Sequence, residues 1–194
     1  MVWFSRSPWI SCSAGRISIL TALVFSVPAL HLLVAQPADD KLAPYFPTPR
    51  TVVEQMLELG KLKAGETMFD LGSGDGRIVI IAAEEFKAHA IGVELDESLA
   101  RQSMARIREL GLSSMAKIIQ GNLLEQNYES ADLITVYLLP VGNNLVTPIL
   151  ESQLKPGARV VAHDFTFDAW TPTETLTIED DGEGRAHRLY LYQR

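Results

Sequence analysis

Three glycines at alternate positions mark the first stretch of this sequence whose residue types could do chemistry. The stretch is "FDLGSGDGRIVI", residues 69–80, in which a short apolar run leads to Gly72, Gly74 and Gly76. A glycine loop that follows a strand and opens a helix directs backbone N–H groups and the helix N-terminus toward a ligand. Arg77 stands where the dinucleotide fingerprint G-x-G-x-x-G has its third glycine, so the spacing departs from that fingerprint.

Two acidic residues restrict the chemical class of the ligand. Asp70 lies two residues before Gly72, and Glu94 ends the next apolar run, 24 residues after Asp70. A carboxylate beside a pyrophosphate is repelled, whereas beside an ammonium or a sulfonium it is attracted. Glu94 is placed to accept hydrogen bonds from both hydroxyls of a ribose. The pattern therefore predicts a ligand with a cationic amino-acid end, a ribose and no phosphate, which is S-adenosylmethionine. No Lys-Ser/Thr pair follows the loop, which excludes a P-loop.

The elements that must position these residues alternate along the chain. Thr48 is expected as the N-cap of a first helix, with Pro49 as its first residue and Gly60 at its end, and Asp96 as the N-cap of a later helix. Alternating strands and helices predict an α/β fold, a mostly parallel sheet with helices on both faces. Two β-rich runs around residues 180–184 predict a C-terminal antiparallel hairpin. The expected strands are 67–70, 90–95, 117–120, 133–138 and 158–162, and the later helices 77–86, 97–110 and 147–154.

The charge distribution indicates which partners the protein can bind. The whole chain carries −7 and residues 1–38 carry +2, so residues 39–194 carry −9. Such a domain is a poor electrostatic match for a phosphate backbone, so nucleic acid is disfavoured and a basic partner such as a lysine-bearing protein is favoured. The alternative is that the negative charge only aids solubility. Cys12 is the single cysteine, so residues 39–194 have no thiol nucleophile and no cysteine metal site, and we expect no metal.

The N-terminus differs from the rest of the chain. Residues 1–38 contain Arg6 and Arg16 and no acid, and residues 17–35 form an apolar run of 19 residues. About 20 apolar residues span a bilayer, so a membrane anchor fits, and a cleaved signal peptide fits equally well. S-adenosylmethionine is a cytosolic metabolite. We therefore expect an anchor that leaves a catalytic domain, residues 39–194, facing the cytosol; the alternative is export after cleavage.

The motifs resemble a known superfamily. "DLGSGDG" and Glu94 in "GVELD" are similar to motif I and the acidic loop of the class I, seven-strand S-adenosylmethionine-dependent methyltransferases, over residues 45–194. The resemblance implies a Rossmann-like seven-stranded sheet. It also implies that the methionine part is held by Asp70, Gly72, Ser73, Gly74 and Gly76. Glu94 is expected to hold the ribose and Leu95 to lie against the adenine. The remaining residues expected to contact the cofactor are Asn122, Leu123 and Tyr45. Asn122 stands where relatives usually carry an aspartate that accepts from the adenine amino group.

A narrower resemblance concerns the acceptor. "PYFPTPRTVVEQML", "TVYLLP" and "VVAHDFTFDAW" are similar to the small protein-lysine methyltransferases that include the mitochondrial enzymes acting on the ATP synthase c-subunit and the adenine nucleotide carrier. In those mitochondrial members a hydrophobic segment also precedes the catalytic domain. The resemblance implies a protein substrate with an accessible lysine, and a membrane protein is one candidate.

The acceptor channel is expected after the fourth strand, at residues 137–140, "YLLP". Apolar side chains there suit a lysine that must lose water and a proton before it attacks. The candidate residues are Tyr137, Pro140, His163 and Asp164, with Tyr45, Phe165 and Trp170 beside them. Each has a structural alternative: Tyr137 and Phe165 as core residues, and His163 as a hydrogen-bonded strand-end residue. The rival functions are a small-molecule methyltransferase, a cofactor-binding module without catalysis, and a nicotinamide dehydrogenase.

Overall fold

Strands and helices alternate through most of the chain, as the sequence predicts. The computed structural model describes Leu42 and residues 45–194. Within that part the strands are β1 (Thr67–Leu71), β2 (His89–Glu94), β3 (Ala116–Gln120), β4 (Leu133–Val136), β5 (Arg159–His163), β6 (Glu174–Ile178) and β7 (His187–Gln193). The α-helices are α1 (Arg50–Leu59), α2 (Arg77–Glu84), α3 (Glu97–Glu109) and α4 (Pro140–Gln153), and residues Leu123–Glu125 form one 3₁₀ turn.

All seven strands belong to one sheet, in the order β3-β2-β1-β4-β5-β7-β6. The first five strands in that order pair in parallel, while β7 pairs antiparallel with both β5 and β6. The chain moves outward from β1 to β3 and then returns to β4 on the other side of β1. A crevice at such a switch point, outside the carboxyl ends of the strands, is where open α/β sheets bind ligands. The predicted fold class and the C-terminal hairpin are confirmed.

Helices cover both faces of the sheet because the strands carry apolar side chains on both sides. On one face, buried residues of α1, α2 and α3 pack with Met68 of β1 in one core cluster. On the other face, Val146 and Leu150 of α4 pack with Phe69 and Leu71 of β1 in a second cluster. Successive residues of β1 thus serve opposite cores, as the alternation of a strand requires. This two-sided burial makes β1 a rigid base for the residues that follow it.

Two boundary predictions were wrong. Helix α4 begins at Pro140 rather than near residue 147, and β4 ends at Val136, so Tyr137 and Leu138 follow the strand. Pro140 occupies the first helical position, where the missing N–H costs nothing. Pro148 lies inside the helix, whereas a proline in the sequence is usually taken to precede or to break a helix. The consequence is that "YLLP" forms the turn between β4 and α4.

One predicted helix cap was wrong and another is confirmed. Helix α1 begins at Arg50 with Pro49 as N-cap and without a side-chain cap. The hydroxyl of Thr48 instead lies 3.4 Å from Nδ1 of His163. For α3 the side chain of Asp96 accepts hydrogen bonds from the first-turn amides, as predicted. Thr48 thus links the start of α1 to the end of β5.

In the part of the chain that the structure describes, no helix combines the length and the apolar character that crossing a bilayer requires. The predicted anchor at residues 17–35, the N-terminal segment 1–38 and Cys12 lie outside the described residues.

Candidate active site

The glycine loop after β1 has the backbone conformation that its composition predicts. Gly72, Gly74 and Gly76 have φ values of +79°, +54° and +75°, in the left-handed region that favours glycine. A Cβ on Gly74 would lie 2.7 Å from the ring of Tyr45, a half-exposed side chain that would have to move aside. The N–H groups of Gly72 and Ser73 donate to the carbonyl of Val93, which ties the loop to β2.

Glu94 joins the end of β2 to this loop. Its side chain is buried, and Oε2 accepts a hydrogen bond of 2.7 Å from the N–H of Gly74. Its other oxygen, Oε1, accepts a hydrogen bond of 2.8 Å from the N–H of Asp96. A carboxylate has about four lone-pair sites, so both oxygens retain capacity for hydroxyl donors. Glu94 therefore lines the cavity beside the glycine loop and has acceptor capacity for hydroxyl donors.

Asp70 is a buried carboxylate at the end of β1. It is 3% exposed, and its Oδ1 accepts a hydrogen bond of 2.8 Å from the hydroxyl of Thr135 on β4. Burial raises the pKa of Asp70 to about 7, and the charges of Glu94 and Asp75 add to that rise, against the opposing hydrogen bond from Thr135. A cation bound beside Asp70 would favour its ionised form.

These residues line one cavity of about 940 Å³, measured out to its open mouth. Nine of the ten residues predicted to bind a cofactor line it: Tyr45, Asp70, Gly72, Ser73, Gly74, Glu94, Leu95, Asn122 and Leu123. Gly76 does not line the cavity. A Cβ there would approach Cβ of Ser103 to 3.0 Å, so Gly76 serves the close packing of the loop against α3.

The lining is acidic. Asp70, Asp75, Glu94 and Asp96 line the cavity, and among the described residues that line it Arg77 is the one lysine or arginine. The guanidinium of Arg77 donates to both oxygens of Asp75 and to the carbonyl of Thr48. Burial would raise the pKa of Asp75, but the hydrogen bonds and charge of Arg77 outweigh it and lower that pKa. Arg77 is thus held by protein groups, and the cavity suits a cationic ligand better than a phosphate.

Two polar side chains test the fit to S-adenosylmethionine. Ser73 lines the cavity, and among the described residues its buried hydroxyl has no hydrogen-bond partner. Such an orphaned group calls for a ligand or water. The side-chain oxygen of Asn122 accepts a hydrogen bond from the N–H of Leu124 and, as an amide oxygen, can accept a second from an adenine amino group. The donors and acceptors present thus match this cofactor.

The predicted acceptor residues divide into two groups. Tyr137 lines the cavity, its ring lies 3.9 Å from that of His163, and its hydroxyl donates to Oδ2 of Asp164 at 3.3 Å. Phe165 stacks beside Tyr137, with ring centroids 6.2 Å apart. These four residues form one cluster at the end of β5.

Pro140 and Trp170 lie outside this cluster. Pro140 is exposed at the start of α4 and does not line the cavity. The indole of Trp170 stacks on Phe167, and its N–H donates to Glu151. Neither Pro140 nor Trp170 lines the cavity.

Sequence reasoning missed three residues that complete the site. The hydroxyl of Thr135 bonds Asp70, while His187 lies 2.9 Å from Nε2 of His163 and 3.1 Å from Oδ2 of Asp181. The antiparallel pairing of β5 with β7 brings His187 to this end of the sheet. The signal available in the sequence was the predicted hairpin, whose last strand begins at His187.

Comparisons with known proteins agree with this geometry. The family described as ANTKMT methyltransferase domain matches residues 70–174. The chain is 41% identical over 150 residues to a protein-lysine N-methyltransferase of Saccharolobus islandicus, covering 77% of this chain and 92% of that protein. It is 33% identical over 182 residues to the ATP synthase c-subunit lysine N-methyltransferase of Mus musculus, covering 92% and 69% of the two chains.

A solved structure is also similar. It is an RNA methyltransferase from Salinibacter ruber in complex with S-adenosyl-L-homocysteine, 38% identical, with a TM-score of 0.70. The similarity covers 76% of this chain and 93% of that one. The demethylated cofactor bound in that structure supports the ligand inferred from the acidic cavity.

Proposed function

The chain belongs to the family of ANTKMT methyltransferase domains and is an S-adenosylmethionine-dependent methyltransferase, and from that premise we propose that it methylates the ε-amine of a lysine in a protein. The residues of the acceptor side support this proposal, and so do the names of the relatives, which are lysine methyltransferases acting on proteins. The acidic character of residues 39–194 points the same way.

The cofactor side of the reaction is assigned to the acidic cavity. When bound, S-adenosylmethionine supplies an activated methyl group on a sulfonium. Asp70 and the glycine loop would hold its cationic amino-acid end, Glu94 its ribose hydroxyls, and Leu95, Asn122 and Leu123 its adenine. Methyl transfer to an amine is an in-line displacement, so positioning supplies most of the acceleration, up to about 7–11 kcal/mol in favourable cases.

The observation that carries the lysine proposal is the pairing of an apolar wall with a carboxylate. Tyr137 and Leu138 line the cavity, and Asp164, which does not line it, accepts a hydrogen bond of 3.3 Å from the hydroxyl of Tyr137. A carboxylate in this place attracts a lysine ammonium, and apolar side chains favour its loss of water and a proton. An adenine-N6 methyltransferase would need an Asn/Asp-Pro-Pro-aromatic loop where this chain has "YLLP".

RNA is the competing acceptor, because the similar protein of Salinibacter ruber is described as an RNA methyltransferase. Against it, residues 39–194 carry −9, and Arg77, the one cation of the described cavity lining, is held by Asp75. A protein that neutralises phosphates needs several free lysines or arginines at its binding surface. We therefore favour the protein acceptor.

The test uses the full chain with S-adenosylmethionine labelled on the methyl group. The chain and the labelled cofactor are incubated separately with membrane proteins, soluble proteins, total RNA and small metabolites, all prepared from one batch of cells. We expect label in protein, and mass spectrometry should locate it on lysine as added methyl groups. Asp70→Asn serves as the control with weakened cofactor binding and should give much less label. Label confined to RNA or to small molecules, or tight cofactor binding with no transfer to any fraction, would overturn the proposal.

We further propose that residues 1–38 hold the enzyme at a membrane, with the catalytic domain facing the cytosol. The support is the apolar run of 19 residues at 17–35 and the need for a cytosolic cofactor. Membrane proteins then become the nearest acceptors. Cell fractionation of the full chain and of a chain lacking residues 1–38, with protease added to intact and opened cells, tests this arrangement. A mature protein that begins after the apolar run and lies outside the membrane would contradict it.

A further inference from the structure

We propose that His163, His187 and Asp164 form a binding site for a divalent transition metal of the zinc class, beside the acceptor side of the cavity. Three ligand atoms converge there: Nε2 of His163, Nδ1 of His187 and Oδ2 of Asp164. The two nitrogens are 2.9 Å apart, and the oxygen lies 3.4 Å from the first and 3.3 Å from the second. The site comes from residues that are 24 apart in sequence and meet through the β5–β7 pairing.

The three ligand atoms lie close to the spacing that a bound metal ion requires. Zinc binds imidazole nitrogen and carboxylate oxygen at about 2.0–2.2 Å, which separates tetrahedral ligands by about 3.3–3.5 Å and octahedral neighbours by about 2.9–3.1 Å. The two nitrogen–oxygen separations lie in the tetrahedral range, whereas the nitrogen–nitrogen separation of 2.9 Å is shorter and would have to widen when a tetrahedral ion binds. Two imidazoles and one carboxylate are also a ligand set that suits zinc, iron and related metals, with coordination positions left open.

Each ligand is oriented by a second contact, as metal ligands usually are. Nε2 of His187 lies 3.1 Å from Oδ2 of the buried Asp181, which gives the carboxylate–histidine arrangement common at metal sites. Nδ1 of His163 lies 3.4 Å from the hydroxyl of Thr48. The other oxygen of Asp164 accepts a hydrogen bond of 2.9 Å from the N–H of Arg188.

Burial and backbone conformation support the same reading. The side chains of His163 and His187 are 0% and 4% exposed, while that of Asp164 is 27% exposed, so access is from the Asp164 side. Asp164 has a left-handed φ of +58°, and non-glycine residues held in that region concentrate at functional sites.

The rival explanation is a hydrogen-bond network without metal. One proton on Nε2 of His163 can be shared between Nδ1 of His187 and the carboxylate of Asp164, and Tyr137 donates to the same carboxylate. That arrangement satisfies the three side chains on its own. Metal binding by the purified protein separates the two explanations, since a network that only needs a proton gains nothing from a cation.

A metal here would also affect the proposed acceptor chemistry. Oδ2 of Asp164 would become a ligand, and the dication would offset the charge that attracts a lysine ammonium. This consequence rests on the proposed function, whereas metal binding itself does not. Binding is therefore measured in the absence of any methyl acceptor, so that its failure leaves the lysine proposal untouched.

The experiment titrates the full metal-free chain with Zn²⁺ by calorimetry, and with Co²⁺ by visible absorption. We expect one equivalent to bind and Co²⁺ to give the absorption bands of a site with nitrogen and oxygen ligands. Asp181→Asn should weaken binding about 10–100-fold, as expected for the partner of a metal-ligating histidine, and His187→Gln should weaken it more. His89→Gln is the matched control, because His89 is exposed at the start of β2, and it should bind as the parent does.

Circular dichroism and cofactor binding verify that the variants fold. Asp164→Asn, which keeps the side-chain shape and tolerates the left-handed backbone, gives a second ligand variant that should also bind weakly. Absence of stoichiometric binding to the parent chain would overturn the proposal. Binding that is unchanged in folded His187→Gln and Asp164→Asn would overturn it equally.

Discussion

The hydroxyl of Thr135 donates a hydrogen bond to Oδ1 of Asp70 over 2.8 Å, between two side chains that are both buried. Burial raises the pKa of Asp70 to about 7, while this hydrogen bond opposes the rise. Because the folded pKa lies above the ordinary value of 3.8, the protonated form stabilises the fold. That stability is fully present below about pH 4 and is lost as the pH rises through about 7.

Cofactor affinity should have the opposite pH dependence. A cationic ligand favours ionised Asp70, so binding below about pH 7 must release a proton from this carboxyl. We expect affinity to rise by up to about tenfold per pH unit between about pH 5.5 and 7, and then to level off. Calorimetry in buffers of different ionisation enthalpy measures both the affinity and the released proton. Asp70→Asn should remove the slope, and a slope that persists in that variant would assign it to another group.

Thr135→Val should move this titration. Valine has nearly the same shape but donates no hydrogen bond, so the pKa of Asp70 should rise further and the affinity plateau should shift to higher pH. The buried carboxyl also loses a partner, which should cost about 1–3 kcal/mol of unfolding free energy. Thermal unfolding and the calorimetric pH series measure the two effects. If the pH midpoint of cofactor affinity is unchanged in Thr135→Val, the hydroxyl does not set the pKa of Asp70.

Glu94→Gln should weaken cofactor binding about 10–100-fold. The carboxylate accepts from the N–H groups of Gly74 and Asp96, and glutamine has one acceptor oxygen to serve both. Hydrogen bonds to a charged group contribute about 1.5–3 kcal/mol, which corresponds to that loss in affinity. Glu97→Gln is the control, because Glu97 is exposed on α3 and pairs with Arg101 at the surface. Equal losses in the two variants would show that the overall charge matters rather than the contact.

The gathering of Asp70, the glycine loop and Glu94 around one cavity could be predicted from the sequence because these residues lie at or just after strand ends. Asp70 lies one residue before the end of β1, and Glu94 ends β2. Because these strands pair in parallel, both carboxylates lie at the carboxyl ends of the strands. Gly76 is the exception among the loop residues, because its constraint is contact with Ser103 on α3 rather than with a ligand. Spacing alone does not separate these two reasons for a glycine.

The acceptor side could be predicted only in part, because it depends on contacts between distant segments. His187 reaches His163 through the antiparallel register of β5 and β7, and that register depends on the length of the loop before β7. Thr48 carries a side chain typical of a helix cap, yet its hydroxyl lies against His163 instead. A local propensity was here overridden by a tertiary contact, which a single sequence does not reveal.

Gly92→Ala should destabilise the fold and weaken cofactor binding together. Gly92 has no left-handed strain, but a Cβ there would lie 2.5 Å from Oγ of Ser73 and 2.6 Å from Cδ1 of Ile118. Overpacking of this kind costs about 1–3 kcal/mol, and relief requires Ser73 to move within the cavity lining. Gly121→Ala is the control for stability alone, because the nearest atom to its Cβ is the end of the Gln126 side chain at 3.4 Å, whereas Gly121 itself lines the cavity. A stable Gly92→Ala chain with normal affinity would contradict the close approach.

Tyr137 allows the two parts of the proposed acceptor site to be separated. Tyr137→Phe keeps the ring that lies 3.9 Å from His163 and removes only the hydroxyl, whose hydrogen bond to Asp164 is long at 3.3 Å. If the apolar wall matters most, kcat/KM for the lysine acceptor should fall by less than about fivefold, the effect of one weak hydrogen bond. Tyr137→Ala removes the wall, admits water and loosens the acceptor, and we expect a fall of about 100-fold. Cofactor affinity is measured alongside, because Tyr137 also lines the cofactor cavity. If the phenylalanine variant is as impaired as the alanine variant while both bind cofactor normally, the hydroxyl and its contact with Asp164 carry the acceptor role instead of the ring.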